Sequence, residues 1–362
     1  MPSTNQFLKD LPVYQPGRPI KEVARELGLA EGQVAKLASN ENPLGPSPLA
    51  LTAMRQALEN VNLYPDGNAS YLKEDLSAKL RVDPRQIIVG NGSSELIEIV
   101  GHAFLGPGTN VVVSDYSFAM YPIVAKLFGA DVVSVPAIEY GSDISGMLAK
   151  VTDKTRVVFV ANPNNPTGTR SSAKEIASLI NGVPLKTLLV IDEAYIEYLE
   201  DPQDLLSLVR SGSQPNLFLM RTFSKIHGLA GLRMGYGLGS AELVGELNKI
   251  RQPFNGNSVA QAAAIAALAD EDHVVRSRQH NLRERERYET YFRERGWSFV
   301  PSAANFVLLR VGDGAGVFES LLKRGIITRP MGGYQLGEWL RVSVGKEAEN
   351  TRCLNALNEI LS

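Results

Sequence analysis

The chain is poor in the residues that carry metal and thiol chemistry: its 362 residues include one cysteine, Cys353, and four histidines. A single cysteine excludes an intramolecular disulfide and a thiolate metal cage. Excess charge is also missing, since 37 Lys and Arg against 39 Asp and Glu leave a net charge of -2. There is no bulk basic field to hold nucleic acid or an anionic membrane. No apolar run approaches the roughly 18 residues that span a bilayer. Met1 to Asp10 lacks the apolar core of a secretory signal, so a cytoplasmic location is the expectation. Gly and Pro, 32 and 20 in number, stand near ordinary usage, which excludes collagen-like and low-complexity chains. No internal repeat is visible. The length suggests two domains, at roughly 150 residues each.

What is present is alternation. Ile87 to Val89 reads as a strand ending in the turn Gly90-Asn91-Gly92. Leu96, Ile97, Ile99, Val100, Ala103 and Phe104 then mark one face of a helix. Val111 to Val113, Val132 to Val135, Val157 to Val160, Leu188 to Ile191 and Leu217 to Met220 read as further strands, with a helical period from Met120 to Phe128. Continuous apolar strands are covered on both faces, and this spacing predicts βαβ units in an α/β, mostly parallel sheet. After Lys249 to Asn257 the composition shifts to an Ala-rich stretch, Gln261 to Ala269, and a charged one, Arg276 to Arg295, expected to be a solvated helix face. Strand-like Phe306 to Leu309, helical Val317 to Lys323, strand-like Trp339 to Val344 and a terminal helix then indicate a second, α+β domain. The expected boundaries are an N-terminal arm over 1–43, a large domain over 44–252 and a small domain over 253–362.

In open parallel sheets chemistry gathers beyond the carboxyl ends of the strands, and four segments there are polar. Gly90 to Glu95 joins a tight turn to a helix start suited to a phosphate, or to plain N-capping by Ser93 or Ser94. Asn162-Pro163-Asn164-Asn165-Pro166-Thr167-Gly168 is a stiff loop able to hold an Asn amide in place, or simply a turn. Asp192 ends a buried strand, where a carboxylate needs a partner: a cationic ring nitrogen or a helix N-terminus. Arg221-Thr222-Phe223-Ser224-Lys225, followed by Arg233, supplies hydroxyls and an arginine for a phosphate dianion and a lysine for an imine. All four lie at one sheet edge. A cofactor with a phosphate, a cationic ring nitrogen and an aldehyde needs this set, and pyridoxal 5'-phosphate (PLP) is that cofactor.

The loop 162–168, Asp192-Glu193-Ala194-Tyr195 and Ser224-Lys225 together resemble the fold-type-I PLP-dependent aminotransferases. Within that superfamily the chain is similar to the histidinol-phosphate aminotransferases, through Leu37 to Pro48, Tyr64-Pro65-Asp66-Gly67, Gly228 to Arg233 and Leu340 to Gly345. The resemblance implies a large domain with a seven-stranded, mostly parallel sheet, a smaller α+β domain, and a homodimer with shared active sites. It makes Lys225 the Schiff-base lysine and proton shuttle, Asp192 the partner of the pyridine nitrogen, and Asn165 and Tyr195 the partners of the ring's phenolic oxygen. By position Tyr116 matches the aromatic stacked on the ring. Ser93, Ser94, Thr222, Ser224 and Arg233 match the phosphate site, with the choice between Ser93 and Ser94 open. Tyr64 matches a tyrosine donated by the neighbouring subunit.

For the substrate, Arg341 matches the arginine that takes its acidic end. Arg329 matches a second arginine for a substrate phosphate, and Tyr14 a tyrosine near that phosphate. His227 stands where an aromatic is more usual. The implied activity is transamination of L-histidinol phosphate with 2-oxoglutarate in histidine biosynthesis. Alternatives are an aromatic amino acid aminotransferase, a phosphothreonine decarboxylase-like lyase and a non-catalytic PLP-binding module. The last is disfavoured by the intact Lys225 and Asp192.

Overall fold

The computed structural model describes residues 2, 4–9, 11, 13 and 15–362. In chain order its strands are β1 (Ala35–Lys36), β2 (Ile87–Gly90), β3 (Asn110–Ser114), β4 (Asp131–Val135), β5 (Thr155–Ala161), β6 (Leu188–Asp192), β7 (Leu217–Thr222) and β8 (Gly235–Leu238). They continue with β9 (Phe299–Val300), β10 (Phe306–Arg310), β11 (Ile326–Ile327), β12 (Arg329–Pro330) and β13 (Trp339–Ser343). Seven of them form one sheet in the order β2-β8-β7-β6-β5-β3-β4. The β3, β4, β5, β6 and β7 pairings are parallel, and β8 runs antiparallel to both neighbours.

The strand side chains alternate between two cores. Val112, Val158, Val160, Leu189, Ile191 and Leu219 face one, and Val111, Val113, Phe159, Val190, Phe218 and Met220 face the other. Burial on both faces is what made these strands read as continuous apolar runs. The exception is β8, whose sequence Gly-Tyr-Gly-Leu carries little apolar signal. Its glycines are required by crowding: a Cβ on Gly237 would lie 2.2 Å from the Phe218 ring, and one on Gly235 would lie 2.6 Å from the backbone nitrogen of Ser93.

The Ala-rich helix Ser258–Ala269 packs into the first of these cores, where Ala260, Ala263 and Ala264 join Ala50, Leu72 and Leu76. A second, four-stranded antiparallel sheet, β12-β13-β10-β9, packs Val307, Leu309, Leu340 and Val342 against Tyr288, Phe292 and Leu357, with Cys353 buried among them. The N-terminal segment joins this unit through parallel pairing of β1 with β11. No helix among the described residues is long and apolar enough to cross a membrane.

Candidate active site

A cavity of about 170 Å³ opens beyond the carboxyl ends of β5, β6 and β7, closed by residues 38–40 and by Arg341 of β13. It is lined by Ser93, Ser94, Asn165, Asp192, Tyr195, Thr222, Ser224, Lys225, Arg233, Arg329 and Arg341, so eleven of the expected side chains meet here.

One end is built for an anion. The helix Ser93–Phe104 starts directly after Gly92 with no side-chain cap among the described residues, and its first residues, at the positive dipole end, line the cavity. Gly92 has a φ of +75°, and a Cβ there would lie 2.2 Å from Arg233 Nη2, so the guanidinium approaches bare backbone. Arg233 itself has a φ of +58°, and its Nη1 donates to Ser224 Oγ at 3.2 Å and to the Ala230 carbonyl at 3.1 Å. The Ser224 backbone N–H donates to Thr222 Oγ1 at 3.1 Å, and both residues line the cavity.

At the other end lies Asp192, nearly enclosed at the tip of β6. Tyr121 Oη donates to its Oδ2 at 2.8 Å, and the Ala194 N–H donates to its Oδ1 at 3.1 Å. Burial nevertheless pushes its pKa up to about 6, against the two hydrogen bonds that lower it. A folded pKa above the unfolded one means that stability falls as pH rises from about 4 to 6, and a cation facing Asp192 would remove that cost. Tyr121 is held by stacking on Phe159, with ring centroids 4.7 Å apart.

Between the two ends, Lys225 Nζ donates to the Ser39 carbonyl at 3.3 Å and lies 5.5 Å from the centre of the Tyr195 ring. Burial pushes the Tyr195 phenol up to about 12, so it is a neutral donor at physiological pH. Its oxygen accepts from Asn40 Nδ2 at 3.0 Å. Arg341 Nη1 donates to Asn165 Oδ1 at 2.6 Å and its Nη2 to the Ala38 carbonyl at 2.8 Å, fixing the guanidinium at the cavity wall. Arg329 Nη2 donates to the Gln15 carbonyl at 2.6 Å.

Three expectations fall elsewhere. Tyr116 does not line this cavity. It has a φ of +55° and lines an adjoining groove of about 830 Å³, its ring centroid 6.1 Å from that of Tyr140. Phe118, two residues on, lines the cavity, as do the rings of Tyr121, Tyr195 and Tyr334. Tyr64 sits in a separate depression and is 83% exposed, its ring stacked on Phe254 at 4.6 Å. Tyr14 lies outside the described residues.

Sequence reasoning missed Phe118, Tyr121 and Asn40 as lining residues. Tyr121 had a usable signal, a polar tip inside an otherwise apolar helix face. His227 is buried against Phe223, outside the cavity, with its Nδ1 unpartnered among the described residues.

Residues 32–357 match the family described as Aminotransferase class I and II. A histidinol-phosphate aminotransferase of Akkermansia muciniphila is 48% identical over 358 residues, covering 99% of this chain and 98% of that protein. Histidinol-phosphate aminotransferase 1 of Thiobacillus denitrificans is 50% identical over 349 residues, covering 96% and 91% respectively. Among solved structures, a histidinol-phosphate aminotransferase of Sinorhizobium meliloti in complex with pyridoxal-5'-phosphate superposes with a TM-score of 0.87 at 30% identity, covering 99% of this chain and 97% of that one.

Proposed function

The chain belongs to the class I and II aminotransferases, and from that premise we propose that it transfers the amino group of L-histidinol phosphate to 2-oxoglutarate, in histidine biosynthesis, with PLP as cofactor. One observation carries the substrate reading: Arg329 and Arg341 both line the cavity that holds Lys225, so an amine bound there meets two guanidiniums. The near full-length identity to proteins named for this reaction supports it.

The residues present fit PLP. Gly92, Thr222, Ser224, Arg233 and the helix start at Ser93 suit its phosphate. Asp192, whose burial outweighs its two hydrogen bonds and the charge of Lys225, suits its ring nitrogen. Bound there, PLP supplies an electron sink for the charge that develops at the substrate Cα. Lys225 Nζ would hold the cofactor's aldehyde carbon between turnovers; once the substrate amine displaces it there, the freed amine would carry the Cα proton to the cofactor side. Asp192 would keep the ring nitrogen protonated. Tyr195 and Asn165 would bond the phenolic oxygen. Phe118 would stand as an aromatic neighbour of the ring, and Arg341 would take the anionic end of the keto acid. Because one site serves both substrates in turn, the kinetics are ping-pong.

The reading includes a homodimer in which Tyr64 reaches the neighbouring subunit's phosphate site. It includes an arm over 1–43, a large unit from 44, extended through the helix Ser258–Ala269 by its packing, and a small unit after it. A cytoplasmic location goes with it, and the free, buried Cys353 suits a reducing compartment. Single-turnover absorbance of the PLP form against histidinol phosphate, phenylalanine and phosphothreonine tests the reading. The fastest amino transfer is expected with histidinol phosphate. Faster turnover of phenylalanine, or carbon dioxide release from phosphothreonine without a keto acid, overturns it.

A further inference from the structure

Asn40 combines a φ of +55°, a conformation asparagine tolerates better than most residues, with hydrogen bonds in three directions. Its backbone N–H donates to Ser343 Oγ at 2.8 Å, and its carbonyl accepts from Asn305 Nδ2 at 3.0 Å. Its side chain bridges two hydroxyls: Ser343 Oγ donates to Asn40 Oδ1 at 2.8 Å, and Asn40 Nδ2 donates to Tyr195 Oη at 3.0 Å. Asn40, Ser343, Asn305 and Tyr195 are all buried.

The hydrogens can be counted along this chain. Ser343 Oγ already accepts one N–H, and its single hydrogen goes to Asn40 Oδ1. The amide therefore presents its NH2 group to Tyr195. A phenol that accepts on its lone pair keeps its own hydrogen for another acceptor. Turning the amide over would leave the Ser343 hydrogen without an acceptor among the described residues, and would consume the Tyr195 hydrogen on Asn40 Oδ1. The direction of every bond is thus set from the backbone outward.

We infer that Asn40 and Ser343 are positioning residues that set the hydrogen-bond polarity of Tyr195, so that its hydroxyl hydrogen is directed at the phenolic oxygen of PLP. The inference rests on the cofactor reading above. Ser343 lies two residues beyond Arg341 on β13 and so shares its face of the strand. The strand that carries the substrate-facing guanidinium also orients the donor to the cofactor.

The test is the pH midpoint of the cofactor's absorbance change in the PLP-loaded protein. A donor to the phenolic oxygen favours its ionised form and lowers that midpoint. Tyr195→Phe is expected to raise it, and Asn40→Ala to raise it by about 0.4 to 1 pH unit. In the Tyr195→Phe background Asn40→Ala is expected to add nothing, because its effect passes through the phenol. Ser343→Ala is expected to raise the midpoint by less, and Ser343→Thr to restore it. An unmoved midpoint in Asn40→Ala, or an equal shift in both backgrounds, overturns the inference. If Asn40→Ala does not fold, the Ser343 pair decides: no rise in Ser343→Ala, or no restoration in Ser343→Thr, overturns it too. A wild-type protein that takes up no PLP overturns the cofactor reading and this inference with it. Binding with unmoved midpoints overturns this inference alone.

Discussion

The cavity beyond β6 and the depression around Tyr64 are opposites in construction. In the cavity polar groups are buried and cross-bonded: Tyr121 to Asp192, Asn40 to Tyr195, Arg341 to Asn165. Around Tyr64 apolar groups are exposed, with Val61, Leu63, Tyr64 and Phe254 lining one shallow surface and Leu58 and Tyr71 also open to solvent. The first region is costly in solvation, and its polar groups are cross-bonded within one chain. The second exposes apolar side chains, which on our proposal a second copy buries. The contrast teaches where the chain is self-sufficient and where, on our proposal, it is half a site.

The largest expected effect strikes the self-sufficient half. Lys225→Ala should slow the amino-transfer half-reaction by about 10,000-fold, since it removes the proton carrier, as read by stopped-flow absorbance. Asp192→Asn should cost about 100- to 1,000-fold in kcat by removing the buried negative charge, with KM changed far less. On the other side, Tyr64→Ala should cost roughly tenfold in kcat/KM through the phosphate site. Mixing Tyr64→Ala chains with Lys225→Ala chains should raise turnover above either parent, because one site of each mixed dimer is then intact. Failure of that complementation would erase the distinction between the two regions.

The smallest effect on activity is expected at His227, whose pKa burial lowers to about 4, assisted by the charges of Lys79 and His273. A base with a depressed folded pKa loses stability as pH falls from its unfolded value near 6.5 towards 4, by about 3 kcal/mol in total. His227→Phe should flatten the thermal stability curve over that window and leave turnover at pH 8 unchanged.

The central sheet was legible because its strands are buried on both faces and read as short apolar runs. β8 was not, because its role rests on glycines that make room for Phe218 and Ser93, which no hydrophobic pattern records. Nine of the eleven lining residues were legible because chemistry at one sheet edge is encoded in short motifs after strand ends, and Arg329 and Arg341, on the second sheet, came only through the family resemblance. Tyr116 lines the adjoining groove and Phe118 the cavity, and the left-handed backbone of Tyr116 leaves no mark in a hydrophobic pattern. Asn40 stayed hidden because its contribution comes through Ser343, 303 residues away in sequence.

The charged run also reads differently in three dimensions. The helix Glu271–Glu294 is solvated on one side, yet buries His273, Ser277, Asn281, Glu284, Tyr288 and Phe292 on the other. At 24 residues it spans about 36 Å. His273 Nε2 meets the Gly45 carbonyl at 3.1 Å, Ser277 Oγ accepts from Asn42 Nδ2 at 2.9 Å, Asn281 Nδ2 donates to the Ala304 carbonyl at 3.2 Å, and Glu284 Oε2 accepts from Asn350 Nδ2 at 2.9 Å. A greasy stripe of that length could slip by a turn at modest cost. A stripe of individually matched polar groups cannot, because one step would break all four contacts together. The helix is therefore a ruler with engraved marks: it fixes the spacing between the segment that carries Asn42 and the C-terminal helix, and the two ends of the chain are held in register by it.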